Sequence, residues 1–148
     1  MPQKPYIICD LDGTLCDISH RQHHAQGKKK NWPKFFAGVK DDKLNEVVAE
    51  ILARFKDSHD IVFFSGRPEK CRVDTLKWMI READIHDPEI HMRADGDFRN
   101  DAIVKAEMYE AVEPKRGKPF FILDDRDRVV KMWRERGLTC LQVAEGDF

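Results

Sequence analysis

Tyr6-Ile-Ile-Cys-Asp10-Leu-Asp12-Gly-Thr14 is the stretch that decides the fold. An apolar run that breaks off at an acid reads as a strand buried on both faces, and Gly13 supplies a turn directly after it. The signature returns twice downstream. Ile61-Val-Phe-Phe64 is ended by Ser65-Gly66-Arg67, and Phe120-Phe-Ile-Leu123 halts at Asp124-Asp125. Weaker runs at Glu89–Arg93 and residues 138–143 complete five strands.

Helical periodicity fills the gaps. Leu44, Val47, Val48, Ile51, Leu52 and Phe55 recur at helical spacing behind Asp41-Asp42, which are candidate caps. Pro68 suits the first turn of a second helix whose apolar face would be Val73, Leu76, Ile80 and Ala83. A third helix is expected over about residues 101–112, and a fourth around Val129, Val130 and Trp133, ended by Gly137. Strands that alternate with helices and read as continuous apolar runs predict an α/β fold. The expected architecture is a single doubly wound, mostly parallel five-stranded sheet with helices on both faces. Residues 1–148 are read as one domain. Right-handed crossovers bring every strand's C-terminal end to one edge, where ligands bind.

Composition sets outer bounds. Of 148 residues, 41% are apolar, which disfavours disorder, and this length suffices for a core. No apolar run approaches the roughly 20 residues of a membrane span, so no membrane role is expected. The opening Met-Pro-Gln-Lys-Pro lacks the apolar region of a signal peptide, giving a cytoplasmic expectation, or the host cytoplasm if phage-encoded. Lys and Arg total 26 against 27 Asp and Glu, so nucleic-acid binding needs a local patch. Cys9, Cys16, Cys71 and Cys140 show no CxxC spacing and read as reduced, mostly buried thiols.

Residues 16–40 form a small, polar and basic insertion after the first strand. Within it, Asn31 before Trp32-Pro33 is placed to cap a short helix carrying Phe35 and Phe36. About 25 residues are too few for a full cap domain, so the site should be open unless a second copy of the chain covers it. His20, His23 and His24 read as surface histidines rather than ligands. Lys28-Lys29-Lys30 with Trp32 reads equally as a solvated loop or as a patch that tracks phosphates and stacks a base.

At the shared edge the topology gathers Asp10, Asp12 and Thr14, then Ser65, Gly66 and Arg67, then Asp124 and Asp125. Lys105 joins them from the helix before the fourth strand. A single acid after a strand is commonly only a helix cap; these groups, in this order at these element ends, point to a site. Four clustered carboxylates repel, and burial worsens the repulsion. A divalent cation is the natural compensation, and all-oxygen ligation points to magnesium.

These motifs resemble those of the haloacid dehalogenase superfamily of aspartyl-phosphate phosphatases. The resemblance implies that Asp10 attacks phosphorus and that Asp12 protonates the leaving oxygen and later activates water. It implies that Ser65 holds a phosphate oxygen and that Lys105 neutralises the phosphoryl group. Asp124 and Asp125 would complete a magnesium site with Asp10 and the main-chain carbonyl of Asp12; Thr14 and Gly66 would lie beside the substrate.

The chain is more closely similar to the 3′-phosphatase half of phage-type polynucleotide kinases. The likeness includes Met92-Arg-Ala-Asp-Gly-Asp-Phe-Arg99, Asp101-Ala-Ile-Val-Lys105, Asp124-Asp-Arg-Asp-Arg-Val-Val-Lys-Met-Trp-Arg134 and Gln142-Val-Ala-Glu-Gly-Asp-Phe148. It implies substrate roles for Arg21 and Arg67, expected at the rim of the site. Arg99, with Arg93, flanks Gly96-Asp97 in a loop expected to reach the same edge. The implied activity is a magnesium-dependent phosphomonoesterase that removes 3′-phosphates from DNA or RNA ends through an aspartyl-phosphate. The alternatives are a phosphatase of small mononucleotides or a non-catalytic phospho-signalling module. A receiver-type module would need its phosphorylated Asp at the end of the third strand, where this chain has Arg93. The sequence departs from the kinase pattern in lacking a GxxxxGK[ST] loop, and its insertion differs. A separate kinase or ligase partner, and a homo-oligomer, are compatible with this reading.

Overall fold

The computed structural model describes residues 3–148. In chain order the elements are β1 (Tyr6–Cys9), β2 (Cys16–Asp17), α1 (Trp32–Ala37), β3 (Lys43–Leu44), α2 (Glu46–Phe55), β4 (Asp60–Pro68) and α3 (Arg72–Ala83). They continue with β5 (Glu89–Arg93), α4 (Asp101–Arg116), β6 (Ile122–Asp124), α5 (Asp127–Glu135) and β7 (Cys140–Gln142). The sheet runs β5-β4-β1-β6-β7, with every neighbouring pair parallel. β1 lies at the centre, where the winding reverses, so the crevice beyond its C-terminal end is the expected ligand position.

Alternation along the strands splits the core into two layers. Ile7, Cys9, Phe63 and Leu123 face Val48 and Leu52 of α2 and Trp78 and Met79 of α3. Ile8, Val62, Phe64 and Ile122 face Val104 and Met108 of α4 and Val129, Val130 and Trp133 of α5. All four cysteines are buried and free. Among the described residues no helix is long and apolar enough to cross a membrane.

The structure corrects several local expectations. Asp41-Asp42 do not cap α2: Leu44 pairs with Cys16 in the short antiparallel β2–β3 ladder, and the Asn45 side chain accepts from Val48 N at 3.4 Å. Two-residue strands carry no readable period, so this ladder was invisible in the sequence. Pro68 ends β4 instead of opening α3, because the strand continues through Ser65-Gly66-Arg67 with a register shift against β5. The buried face of α3 is Thr75, Trp78 and Met79, while Val73 and Ile80 are 62% and 48% exposed. Trp78 decides that orientation: its indole N–H donates to the Asp42 carbonyl at 2.8 Å, anchoring the larger side chain inward. The helix α1 forms as the capping pattern predicts, with Asn31 accepting from Lys34 N at 3.1 Å.

Candidate active site

Asp10 is the first residue beyond β1, and its N–H donates to Leu123 O at 3.0 Å, locking it beside β6. The chain then turns tightly, with Thr14 N and Cys16 N both donating to Leu11 O at 3.0 and 2.8 Å. Gly13 makes the turn at φ +81°, and a Cβ there would lie 2.0 Å from Asp125 Oδ2. The position therefore requires glycine twice over, for its backbone and for its neighbour. The turn returns Thr14 to the strand end, where its hydroxyl donates to Asp10 Oδ2 at 3.0 Å and Asp125 Oδ1 at 3.4 Å.

Lys105 reaches the same point from α4. Its ammonium donates to Asp10 Oδ1 at 2.7 Å and to Asp124 Oδ2 at 2.9 Å. Asp124 is held from behind by Asp125 N, which donates to its Oδ1 at 2.9 Å. Burial and the neighbouring Asp124 push the Asp10 carboxyl well above its usual range, against the pull of Lys105. Asp125 is pushed up to about 6 by burial and by Asp124. Burial would lower the Lys105 ammonium, but Asp10 and Asp124 outweigh it and hold the charge on.

Asp10 and Asp124 thus share one cation, and Asp125 stands beside them with none of its own among the described residues. Asp10, Asp124 and Asp125 each present an oxygen within 4.8 Å of the others. The raised proton affinities of Asp10 and Asp125 mark a surplus of negative charge, and an all-oxygen donor set of this kind fits a hard divalent cation. A second cluster, Asp12 with Cys16 and Asp42, has similar spacing but is filled by guanidinium groups.

Asp12 sits in that second cluster. Its Oδ1 accepts from Arg21 Nη2 at 2.7 Å and from Arg67 Nε and Nη2 at 2.9 and 2.6 Å. Its side chain remains 22% exposed, against 7% for Asp10, so it faces the open side of the site. Burial pushes Asp12 up, but Arg67 and Arg21 win and hold it at about 2. It is ionised at neutral pH, and only an arriving anion that offsets the guanidinium charge would restore its affinity for a proton.

The arginines are in turn held by Asp42, which sequence reasoning took for a helix cap. Asp42 accepts from Arg21 Nε and Nη2 at 2.7 and 2.8 Å and from Arg67 Nη2 at 2.9 Å, and His20 Nε2 lies 2.8 Å away. Arg67 also donates to Thr75 Oγ1 at 2.9 Å, and Arg21 to Phe35 O at 3.2 Å. The expectation that both arginines line an open rim is overturned: each is 1% exposed, with its donors committed to groups of the protein itself. A direct contact with substrate would require them to exchange partners.

Ser65 is buried at the end of the apolar part of β4, and its Oγ accepts from Arg67 N at 3.1 Å. Arg93 donates to Gly66 O at 2.8 Å and is ion-paired with Asp101, which also pairs with Arg126. A Cβ on Gly66 would stand 2.9 Å from Asp101 Oδ1, so Gly66 lets this bridge approach. Arg99 lies outside the bridge, its guanidinium donating to Asp97 and Glu107 on the exposed side of α4. Asp101 was legible only as the start of a helix. His23 and His24, read from the sequence as surface histidines, lie ring against ring with centroids 3.9 Å apart.

Comparison with known proteins agrees with this geometry. The model of the polynucleotide kinase PNKP phosphatase domain matches residues 4–148. A chain of a structure described as the Pnkp1/Rnl/Hen1 RNA repair complex is 33% identical with a TM-score of 0.83, over 98% of this chain and 44% of that one. A second such chain is 35% identical with a TM-score of 0.79, over 97% of this chain and 47% of that one. This chain therefore spans less than half the length of these relatives. Two more distant structures share the fold. The class C acid phosphatase from Bacillus anthracis with tungstate bound is 16% identical with a TM-score of 0.70, over 100% of this chain and 69% of that one. A haloacid dehalogenase-like hydrolase from Streptococcus pneumoniae is 17% identical with a TM-score of 0.65, over 94% and 84% of the two chains. With Asp10, Lys105 and the acid pair standing at the strand ends of this sheet, the chain belongs to the PNKP phosphatase-domain family of haloacid dehalogenase-like phosphatases.

Proposed function

We propose that this phosphatase removes 3′-phosphates from polynucleotide ends, with Asp10 as nucleophile, Asp12 as acid and base, and magnesium as cofactor. The observation that carries the reading is the split between two adjoining carboxylate sites. Asp10 lies with Lys105, Asp124 and Asp125, while Asp12, two residues on, is gripped only by arginines. Two acids on one turn in such different surroundings are suited to different roles.

In the first step Asp10 Oδ attacks phosphorus as the bond to the sugar 3′-oxygen breaks, and that oxygen takes a proton from Asp12. In the second, water attacks the aspartyl phosphate, gives its proton to Asp12 and releases inorganic phosphate. Lys105 keeps the Asp10 carboxylate oriented and offsets phosphoryl charge, which a carboxylate nucleophile needs. In this reading the Ser65 hydroxyl donates to a phosphate oxygen, while Thr14 steadies the second oxygen of Asp10. Magnesium, held by Asp10, Asp124 and Asp125, would supply charge neutralisation at the transferring group. The incoming phosphate offsets the charge of Arg67 and Arg21 and so lets Asp12 take up from solvent the proton that it passes to the leaving oxygen.

Polynucleotide ends as substrate are supported by the family match, by relatives solved in an RNA repair complex, and by an insertion too short to form a lid. Partners that phosphorylate or ligate the repaired end are part of the same proposal. Phosphate release from matched 3′-phosphorylated, 5′-phosphorylated and mononucleotide substrates tests it. The 3′-phosphorylated oligomer should react fastest; faster turnover of a 5′-mononucleotide would replace this reading with that of a small-nucleotide phosphatase.

A further inference from the structure

The insertion concentrates charge in a way the catalytic residues do not use. Between Ile18 and Lys40 stand Arg21, Lys28, Lys29, Lys30, Lys34 and Lys40 without one carboxylate, in a chain whose formal net charge is −1. Lys28, Lys29, Lys30 and Lys34 are exposed, and none is ion-paired to a carboxylate among the described residues. The loop carrying the lysine run is anchored at its base, where Asn31 N donates to His24 O at 2.7 Å, and it turns through Gly27 at φ +79°.

Trp32 stands beside that run. Its ring stacks on Phe36 at 5.9 Å with planes 21° apart and meets the edge of Phe35 at 5.6 Å, yet 39% of the residue stays exposed. Lys30 Nζ lies 5.7 Å from its centroid. An indole backed by packed aromatics is rigid, so presenting it to a base loses little conformational freedom. The platform is also tied to the catalytic centre. The Arg21 guanidinium lies 4.4 Å from the Phe35 centroid and donates to the Phe35 carbonyl, while its Nη2 grips Asp12.

We propose that Lys28, Lys29, Lys30 and Trp32 form a docking track for the single strand that carries the scissile 3′-phosphate, the lysines meeting its phosphates and Trp32 stacking one base. This rests on the polynucleotide reading above and adds where the strand lies. Unpaired cations beside an exposed aromatic ring are the combination that holds single strands without regard to sequence. An acidic protein would use the lysines but has no call on the indole.

The test compares a 3′-phosphorylated oligonucleotide with a 3′-mononucleotide at several salt concentrations, in the wild type and in the triple variant Lys28→Gln, Lys29→Gln, Lys30→Gln. All three positions are exposed, so folding should survive. Single-strand binding loses about 0.7 in log K per log unit of salt for each neutralised phosphate, so the triple variant's salt slope for the oligomer should fall by about 2. Its KM for the oligomer should rise while kcat and the mononucleotide kinetics hold. Trp32→Ala should raise the oligomer KM by roughly 5- to 150-fold, the cost of one lost stacking contact, and Trp32→Phe should recover part of it. If the wild type prefers the oligomer and the triple variant keeps both that preference and its salt slope, the docking track is overturned and polynucleotide phosphatase activity stands. A wild type indifferent to oligomer and mononucleotide overturns the polynucleotide reading, and the track with it.

Discussion

Asp42 Oδ2 lies 2.9 Å from Arg67 Nη2, and neither side chain has any exposed surface. Arg21 meets the same carboxylate at 2.7 Å, so Asp42 and Asp12 together balance two buried guanidinium groups. Removing one member of a buried ionic cluster strands its partners' charge, at about 3–5 kcal/mol. Asp42→Ala should lose stability of that order in urea unfolding. Asp42→Asn, which keeps shape and one acceptor, should lose less. An alanine variant as stable as the wild type would mean that Asp12 alone suffices to hold both arginines.

Gly13→Ala tests the close approach of the catalytic turn to Asp125. A non-glycine residue in left-handed backbone costs roughly 1–2 kcal/mol. The added Cβ would also fall 2.0 Å from Asp125 Oδ2 and must displace that carboxylate. Activity should therefore fall far more than thermal stability does. A variant that melts early yet turns over normally would show that Asp125 tolerates displacement.

How much of this was legible follows from which signals are local. β1, with Asp10, Asp12 and Gly13 behind it, declares itself within nine residues, and the Asp124-Asp125 pair within a few more. Parallel topology then brings them together without further information. Asp42 declares nothing: it lies in an acidic run beside a helix, and its partners Arg21 and Arg67 are 21 and 25 residues away. The exposure of Val73 and Ile80 was hidden for a related reason. Trp78 and Thr75 outbid them for the interior through polar contacts with Asp42 and Arg67 that no hydrophobic period encodes. The burial of the two arginines was misjudged because the carboxylates facing them could not be enumerated from spacing.

Asp12→Asn separates the two acids. The amide cannot donate and recover a proton, so hydrolysis of an alkyl 3′-phosphate should slow by at least the 10²–10⁴-fold typical of a lost general acid–base. A substrate with a very good leaving group needs little protonation in the first step and should lose less there. Rapid-mixing measurement of the first turnover on both substrates checks this. Equal losses would argue against Asp12 as the acid.

Metal should be visible in stability as well as in rate. Three carboxylates around Lys105 repel, and a cation that binds only the folded state stabilises it by about 2.7 kcal/mol at a hundred times its Kd. Magnesium should raise the melting temperature and restore activity removed by EDTA. Calcium, with its longer and more numerous contacts, should restore activity poorly. Asp125→Asn should weaken both magnesium effects. Full turnover in metal-free buffer, with no thermal response to magnesium, would remove the cofactor assignment.

Arg21 provides the sharpest discrimination between holding the acid and holding the substrate. Its Nη2 joins Asp12 to Asp42, its Nε adds a second bond to Asp42, and its Nη1 is spent on Phe35 O. A lysine at this position has one compact ammonium and cannot span both carboxylates, so Arg21→Lys should behave as a loss. Arg67 still grips Asp12 through two nitrogens, so the carboxylate is loosened but not freed. Losing one charged hydrogen bond is worth about 1.5–3 kcal/mol, or roughly 10- to 150-fold in kcat/KM. If Arg21 acts by orienting Asp12, that loss appears in kcat and is the same for an oligomer and a mononucleotide. Steady-state kinetics of Arg21→Lys and Arg21→Ala on the two substrates decide the matter. A loss confined to the KM of the oligomer would mean that the arginine leaves its carboxylates and binds the strand.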